Sequence, residues 1–374
     1  MKRVVLCGII YIMSLLYKIF PPPKFLEMPA YGLDISDRTL KFIKLIRTPE
    51  GLRISNFGNK VIPEGLIVSG EIIKQEELAG FLKESCVPQG IRYIISSLPE
   101  EKAYLSAVEL PMMATSNIKQ VLEVQLSEHI PLPPGEVNFD FEIIEKTATS
   151  LKPQHLDVMI AAAPSKLVSS YYETYQKAGL EPVGFDLEMH AIARACIPKN
   201  SRDTYLIMDF GRTRTSFIIV SEKQVRFAST TSVSGKNIDK AISKAFGVSI
   251  LEAERIKKER ASLLASSPDE KMYEIVLPIV SALRDELSKL IDFWETHAVH
   301  VHFAPSRKIK KILLCGGETN MYGLNDYLSH TLNIDVEYVN VWTNVASFDD
   351  FIPPILFKNS LKYASAIGLA LRAV

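Results

Sequence analysis

No uninterrupted apolar run in this chain reaches the roughly 20 residues that a helix needs to cross a bilayer. The nearest approach, Val4 to Leu16, follows Lys2 and Arg3 and stops at Lys18 and Pro21-Pro22-Pro23. It has the length of a signal-peptide core, but no small-residue cleavage site follows it. We read Met13 as the start, which leaves MSLLYKIF as a short amphipathic segment touching a partner or the membrane surface, with residues 1–28 standing apart from the fold. A true membrane anchor is the alternative reading. Net charge is also missing: 43 Lys and Arg balance 43 Asp and Glu. That gives no basic field for nucleic acid. The four cysteines, Cys7, Cys86, Cys196 and Cys315, fall in no CxxC or zinc-like spacing. They read as reduced thiols of a cytosolic protein. His297, His300 and His302 have no Cys or acidic third ligand near them in sequence, so they read as surface histidines. No P-loop pattern, GxGxxG or GxSxG occurs, which argues against P-loop, Rossmann and hydrolase chemistry. At 374 residues, 47% hydrophobic and 23% charged, the chain exceeds what one core usually serves. Two or more domains are expected.

What is present is a repeated local design. YGLDISDRTLKFIKL places Asp34 at the corner between two strands, and YLIMDFGRTRTSFIIV places Asp209 and Gly211 at another. A tight turn of small and polar residues offers consecutive backbone N–H groups as an anion nest. The aspartate can hold Mg²⁺ through its waters. Two such hairpins far apart in one chain suggest a duplicated domain closing on one nucleotide.

The intervening sequence divides readily. The first hairpin continues into a strand over Leu52 to Val61, a helix over Gln75 to Ser85, and strands over Arg92 to Leu98 and Lys102 to Leu110. From Pro111 the pattern changes. Ser116 is placed to cap a helix carrying Ile118, Leu122, Leu126 and Ile130. Val137, Phe139, Phe141 and Ile143 alternate with polar residues, as in a half-buried strand. Lys146 to His155 reads as a loop, Leu156 to Ala162 as a buried strand, Ser165 as the cap of a helix ending at Gly179, and Pro182 to Phe185 as a last strand. After Lys199 to Asp203 a strand meander restarts over Tyr205 to Ser229. Ile238, Ile242 and Phe246 mark a helix closed by Gly247. Ser249 and Glu252 form a capping box. Ala261 to Glu270 reads as a loop, Tyr273 to Thr296 as a long helix, and Lys362 to Arg372 as the final helix. The expected division is 29–110 plus 187–202 for a first lobe and 111–186 for an inserted α+β unit. The second lobe is expected over 203–240 plus 311–374, with 241–310 as its subdomain.

These motifs carry a resemblance. The Asp34 and Asp209 hairpins resemble the two phosphate motifs of the actin–Hsp70–sugar kinase superfamily, and ILLCGGETNMYGL resembles its adenosine motif. DLEMHAIARA resembles its first connecting helix, and SILEAERIKKE the helix that reaches ribose and base. Within the superfamily the inserted unit, ELPMMATSNIKQVLEVQLSEHIPLPPGEVNFDFEII followed by VMIAAAPSKLVSSYYETYQKAGLEPVGF, is similar to the PilM family of type IV pilus assembly. The similarity covers nearly all of Tyr31 to Val374. It implies an actin-like, ribonuclease H-like, duplicated two-lobe α/β fold that binds ATP and Mg²⁺. It also implies a cytoplasmic scaffold peripheral to the inner membrane, binding the N-terminal tail of a PilN-like membrane protein and linking it to other platform or motor components. Self-association and hydrolysis stay open; any hydrolysis is expected to be slow. A division-type homologue of the FtsA kind, a small-molecule kinase and a GspL-like secretion scaffold are the alternatives.

The resemblance also assigns residues. Asp34 and Asp209 would hold the metal. Ser36, Asp37, Arg38, Thr39 and Lys41 would meet phosphate from the first hairpin, and Gly211, Arg212, Thr213, Arg214 and Thr215 from the second. Gly316 and Gly317 would let the backbone pass close to adenosine, with Gly235, Glu318 and Asn320 beside them. Glu254 and Lys257, three apart on one helix face, would contact ribose or base. Glu188 falls where some members place an acid near the attacking water. Each has a plainer reading: turn residues for the aspartates, exposed hairpin charges for the arginines, a solvated ion pair for Glu254 and Lys257, and a helix-dipole partner for Glu188.

Overall fold

The computed structural model describes residues 29–144, 155–263, 269–297, 308–349 and 351–374. The N-terminal segment, residues 146–154 of the expected Lys146 to His155 loop, residues 264–268 of the expected Ala261 to Glu270 loop, and His300 and His302 lie outside the described residues, as does the side chain of His297; His155 itself opens a strand.

In chain order the strands and helices are β1 (Tyr31–Ile35), β2 (Thr39–Thr48), β3 (Gly51–Val61), the short pair β4 (Ile67–Val68) and β5 (Glu71–Ile72), α1 (Gln75–Cys86), β6 (Tyr93–Leu98), β7 (Tyr104–Pro111), α2 (Thr115–His129), β8 (Val137–Ile143), β9 (His155–Pro164), α3 (Ser165–Lys177), β10 (Glu181–Leu187) and α4 (Glu188–Cys196). There follow β11 (Tyr205–Phe210), β12 (Thr215–Ser221), β13 (Gln224–Thr231), α5 (Gly235–Phe246), α6 (Ile250–Arg260), α7 (Glu270–His297), β14 (Lys311–Cys315), α8 (Leu324–Leu332), β15 (Val336–Tyr338), α9 (Phe357–Ser360) and α10 (Ala364–Arg372).

Two five-stranded sheets have the same topology. One runs β3-β2-β1-β6-β10 and the other β13-β12-β11-β14-β15. In each, the first strand of an antiparallel three-strand meander pairs in parallel with a later strand, which in turn pairs in parallel with a second. The central strands are apolar over most of their length because both faces are covered; β1 and β12 are buried throughout. A third sheet, β7-β9-β8, is antiparallel and packs α2 through Ile118, Leu122, Leu126 and Ile130.

Two strands change sides relative to the sequence reading. The strand expected over Lys102 to Leu110, placed in the first lobe, instead pairs along its whole length with β9, in the third sheet. The Pro182 to Phe185 strand, assigned to the inserted unit, pairs in parallel with β6 of the first sheet. Helix α3 lies between β9 and β10 in the chain and packs on α1, making the long crossover that a parallel strand requires. The final helix also moves. It begins at Ala364 after a short 3₁₀ turn and packs against α4 and β1 of the first lobe, not within the second. Ala364 to Leu371 are all buried, so this helix is apolar all round, as a helix held between layers is. The approach is close: a Cβ on Gly368 would fall 1.7 Å from the carbonyl oxygen of Ala191.

Three helix starts also differ. Helix α2 begins at Thr115 after Ala114, and the Ser116 hydroxyl turns to the Asn117 side chain. Ser165 is the first residue of α3 and not its cap, because its hydroxyl accepts from Asn138 of β8 at 3.0 Å. Ser249 does cap α6 by accepting from Glu252 N–H at 3.2 Å, but the box stays half-made: the Glu252 carboxylate pairs with Arg255 at 2.6 Å. The long helix opens at Glu270, with Asp269 accepting from Met272 N–H at 3.1 Å.

Candidate functional site

Asp34 stands near the end of β1 and Asp209 near the end of β11, at the carboxyl ends of the central parallel strands. That is where open α/β sheets place ligands. The two hairpins face each other across a cleft of about 750 Å³. The cleft is lined by Asp34, Ser36, Arg38, Thr39, Lys41, Glu188, Asp209, Gly211, Arg212, Thr213, Arg214, Glu254, Lys257, Gly316, Gly317, Glu318 and Asn320. Asp37, Thr215 and Gly235 do not line it. The Asp37 carboxylate accepts from the N–H groups of Ser69 and Gly70. Thr215 is buried and donates to the Val233 carbonyl at 2.6 Å. Gly235 is packed beneath Glu318, whose Cδ would lie 2.4 Å from an added Cβ.

Not every backbone amide expected at the cradles is available. Ser36 N–H donates to the Thr39 carbonyl at 2.9 Å, and Thr39 N–H to the Ser36 hydroxyl at 3.2 Å. Gly211 N–H closes its own turn on the Arg214 carbonyl at 3.0 Å, and Thr215 belongs to the β11–β12 ladder. The tips themselves are therefore Asp37–Arg38 and Arg212–Thr213.

The floor of the cleft is acidic. Lys41 Nζ donates to Asp34 Oδ2 at 2.7 Å, while Ser97 and Ser365 each donate to Oδ1 at 3.1 Å. Burial works against the Asp34 carboxylate, but Lys41 and the two hydroxyls outweigh it and hold its pKa below the usual value. Among the described residues Asp209 has no such cation in contact, and burial raises its pKa. Burial pushes Glu188 up to about 7, with the charges of Asp34 and Asp209 adding to the effect and Arg214 opposing it. Glu100, buried behind Ser216, is pushed up to about 8 by burial and then by Glu188. Three carboxyls, Asp34, Glu188 and Asp209, thus line the cleft with Lys41 and Arg214, whose charges act on them. Such an excess of carboxylate suits a divalent cation. Asp209 is the better placed to hold one, since the Asp34 oxygens are already occupied.

Neither arginine of the second hairpin is an exposed charge. Arg212 pairs with Glu254 and lies 3.7 Å from Asp239. Burial opposes the Glu254 charge, yet Arg212 and Lys258 bring its pKa down to about 2. Arg214 crosses the cleft to Glu188 at 2.5 Å and to Glu101 at 3.1 Å. Lys257 is buried between Asp239 at 2.8 Å and Glu318 at 2.6 Å. It thereby holds the loop after β14 through Glu318.

Of the two glycines after β14, only Gly316 is sterically required. It has φ +97°, and a Cβ there would fall 2.4 Å from Asp209 Oδ1 and 2.5 Å from the Phe210 carbonyl. At Gly317 the nearest atom would be Lys362 Cβ at 3.8 Å. Asn320 donates to the Lys358 carbonyl at 2.8 Å, and Lys358 lies 4.6 Å above the Tyr322 ring. Tyr322 and Lys358 thus add an aromatic and a cationic group to the lining that the hairpin tips and carboxyls share.

The sequence reading missed Ser97, Glu100, Glu101 and Ser365. A usable signal was the run Ser96 to Glu101 leaving a strand parallel to β1. A second cavity of about 700 Å³ lies between the third sheet and the first lobe. Its floor includes Phe139, Met159, Ala161 and Phe185, and charged residues Asp140, Glu142, Lys199, Lys223 and Arg372 surround it. Helix α4 belongs to both: Glu188 faces the cleft, whereas His190, Ala193 and Arg194 face the groove.

The repeated sheet, the paired hairpins and the shared connecting helix define an actin-like two-lobe fold. Solved structures agree. The chain is 25% identical to a chain of a PilM–PilN type IV pilus biogenesis complex, with a TM-score of 0.75 over 93% of this chain and 99% of that one. Ethanolamine utilization protein EutJ from Carboxydothermus hydrogenoformans is 13% identical (TM-score 0.55, 94% of this chain and 90% of that one). MreB5 of Spiroplasma citri bound to ADP is 12% identical (TM-score 0.54, 91% and 94%). The last two speak to the fold alone. The sequence profile of the type IV pilus assembly protein PilM matches residues 32–374. The chain belongs to the PilM family, which sets aside the division-type, kinase and secretion-scaffold alternatives as family assignments.

Proposed function

We propose that this protein is an ATP- and Mg²⁺-binding scaffold of type IV pilus assembly, and that its groove takes the N-terminal tail of a PilN-type membrane protein. The observation that carries this reading is the sharing of α4 between cleft and groove. The residues fit the nucleotide. The cavity volume suits a ligand of that size, and Gly316 keeps the backbone against Asp209 where a Cβ would intrude. The carboxylate excess suits Mg²⁺, with Asp209 foremost and Asp34 reached through water. Tyr322 and Lys358 lie at the rim where the base would stack. When bound, Mg-ATP would supply charge bridging both hairpins and favour the closed cleft.

The groove fits a short peptide: an apolar floor with charges of both signs around it can seat alternating side chains. A tail held there would bring the protein to the cytoplasmic face of the inner membrane without a spanning helix of its own. No helix among the described residues is long and apolar enough to cross a membrane. Because one helix serves both sites, nucleotide and peptide should bias each other's affinity by linkage. Calorimetric titration with a synthetic peptide of the PilN-type tail, with and without Mg-ATP, tests this reading. Stoichiometric binding supports it; no binding by folded, nucleotide-competent protein removes it.

A further inference from the structure

Arg214 differs from the other cations of the cleft in where its partners lie. Lys41 pairs with Asp34 in its own lobe. Arg212 and Lys257 pair with Asp239, Glu254 and Glu318 in theirs. Arg214 stands on the second hairpin, yet its guanidinium holds Glu101 and Glu188 of the opposite side, all three side chains being 16% exposed or less.

Glu188 opens an element that lines the groove, and Glu101 leads into the strand beside one that does. Glu188 is the first residue of α4, and His190, Ala193 and Arg194, within the next two turns, line the groove. Glu101 lies in the turn that enters β7. β7 pairs residue by residue with β9, whose Met159, Ala161 and Ala163 line it. The guanidinium is therefore linked to one wall of the groove through α4 and to another through β7 and its partner β9. It also lines the cleft together with both aspartates, and its charge acts on Asp209. A nucleotide held between the two hairpins would have its phosphates within the same cleft as Arg214.

An arginine fork binds phosphate oxygens bidentately and competes well for them against carboxylates. We propose that Arg214 reads the terminal phosphate. A triphosphate draws the guanidinium from Glu101 and Glu188, a diphosphate leaves it in place, and release of the two carboxylates resets α4 and β7 and hence the groove. This inference rests on the nucleotide and peptide reading above and names the residue that couples the two sites.

The test uses the full chain, its R214K and E188Q variants, Mg-ATP, Mg-ADP and the synthetic PilN-type tail peptide, with thermal unfolding to confirm that each variant is folded. In the unmodified protein, peptide affinity should differ at least fivefold between Mg-ATP and Mg-ADP, the lower range of ordinary allosteric coupling. In R214K, which keeps the charge but loses the fork, that difference should shrink to twofold or less. ATP affinity should fall several-fold while ADP affinity stays within twofold. E188Q, which removes one carboxylate partner, should move the nucleotide-free peptide affinity toward its ATP value. The proposal is overturned if R214K keeps the full ATP-to-ADP difference, if ATP and ADP affinity fall together, or if the unmodified protein shows no such difference. Failure of the unmodified protein to bind nucleotide or peptide at all would instead remove the underlying reading, and this inference with it.

Discussion

Gly316 and Gly317 provide a paired test of how the cleft is built. At Gly316→Ala the new methyl would stand 2.4 Å from Asp209 Oδ1 and 2.5 Å from the Phe210 carbonyl. Ordinary contact begins near 3.4 Å, so the loop or the aspartate must give by about 1 Å. The backbone there has φ +97°, which a side chain adopts at a cost of roughly 1–3 kcal/mol. Overpacking adds about 1–3 kcal/mol. A loss of roughly 2–6 kcal/mol in unfolding free energy is therefore expected from the two together. Because the displaced group is a cleft carboxylate, ATP affinity should fall about tenfold or more, equivalent to ~1.4 kcal/mol. Gly317→Ala meets nothing closer than 3.8 Å. It should change stability by no more than about 0.5 kcal/mol and leave nucleotide affinity intact. Denaturant unfolding and calorimetric ATP titration on both variants decide the matter. Gly316→Ala behaving like Gly317→Ala in both assays would refute the close approach of Gly316 to Asp209.

Lys41→Met leaves Asp34 buried without its cation and should destabilise by about 3–5 kcal/mol at pH 7, read by denaturant unfolding. The folded pKa of Asp34 is depressed, so its contribution is full above its unfolded value and is lost as pH falls; the Lys41→Met penalty should shrink in acid. Glu100 runs the other way. Its folded pKa, near 8, lies above its unfolded value, so folding takes up a proton and stability declines as pH rises from about 4.5 to 8. Glu100→Gln should flatten that decline and stabilise the protein at pH 8 by on the order of 1 kcal/mol or more, seen in melts across pH. Ala161→Trp, which fills the groove floor, should weaken tail-peptide binding more than tenfold while ATP binding stays within twofold, as separate titrations would show.

The parts legible in the sequence were those whose chemistry is local. A strand ending in aspartate and folding back through a turn announces itself within fifteen residues, and Gly316 sits in a strand–turn–helix that reads without help. What stayed hidden depends on partners distant in the chain. Ser365 donates to Asp34 across 331 positions, and Arg214 finds Glu101 across 113. No periodicity announces either pair. Glu254 and Lys257 share a helix face as their spacing requires, but spacing does not reveal that Asp239 turns Lys257 inward. The final helix read as part of the second lobe because it follows that lobe's last strand; the small residues Gly32, Ala366 and Gly368 instead let it settle against the first. Ser165 looked like a cap until Asn138 of a neighbouring strand took its hydroxyl.

The most direct measurement is a calorimetric titration of the PilN-type tail peptide into the full protein, first without nucleotide and then saturated with Mg-ATP. Binding at one peptide per chain, with an affinity that differs between the two conditions, is the expected result. Equal affinity in both conditions would contradict the coupling of cleft and groove through α4, and no binding in either would contradict the scaffold function itself.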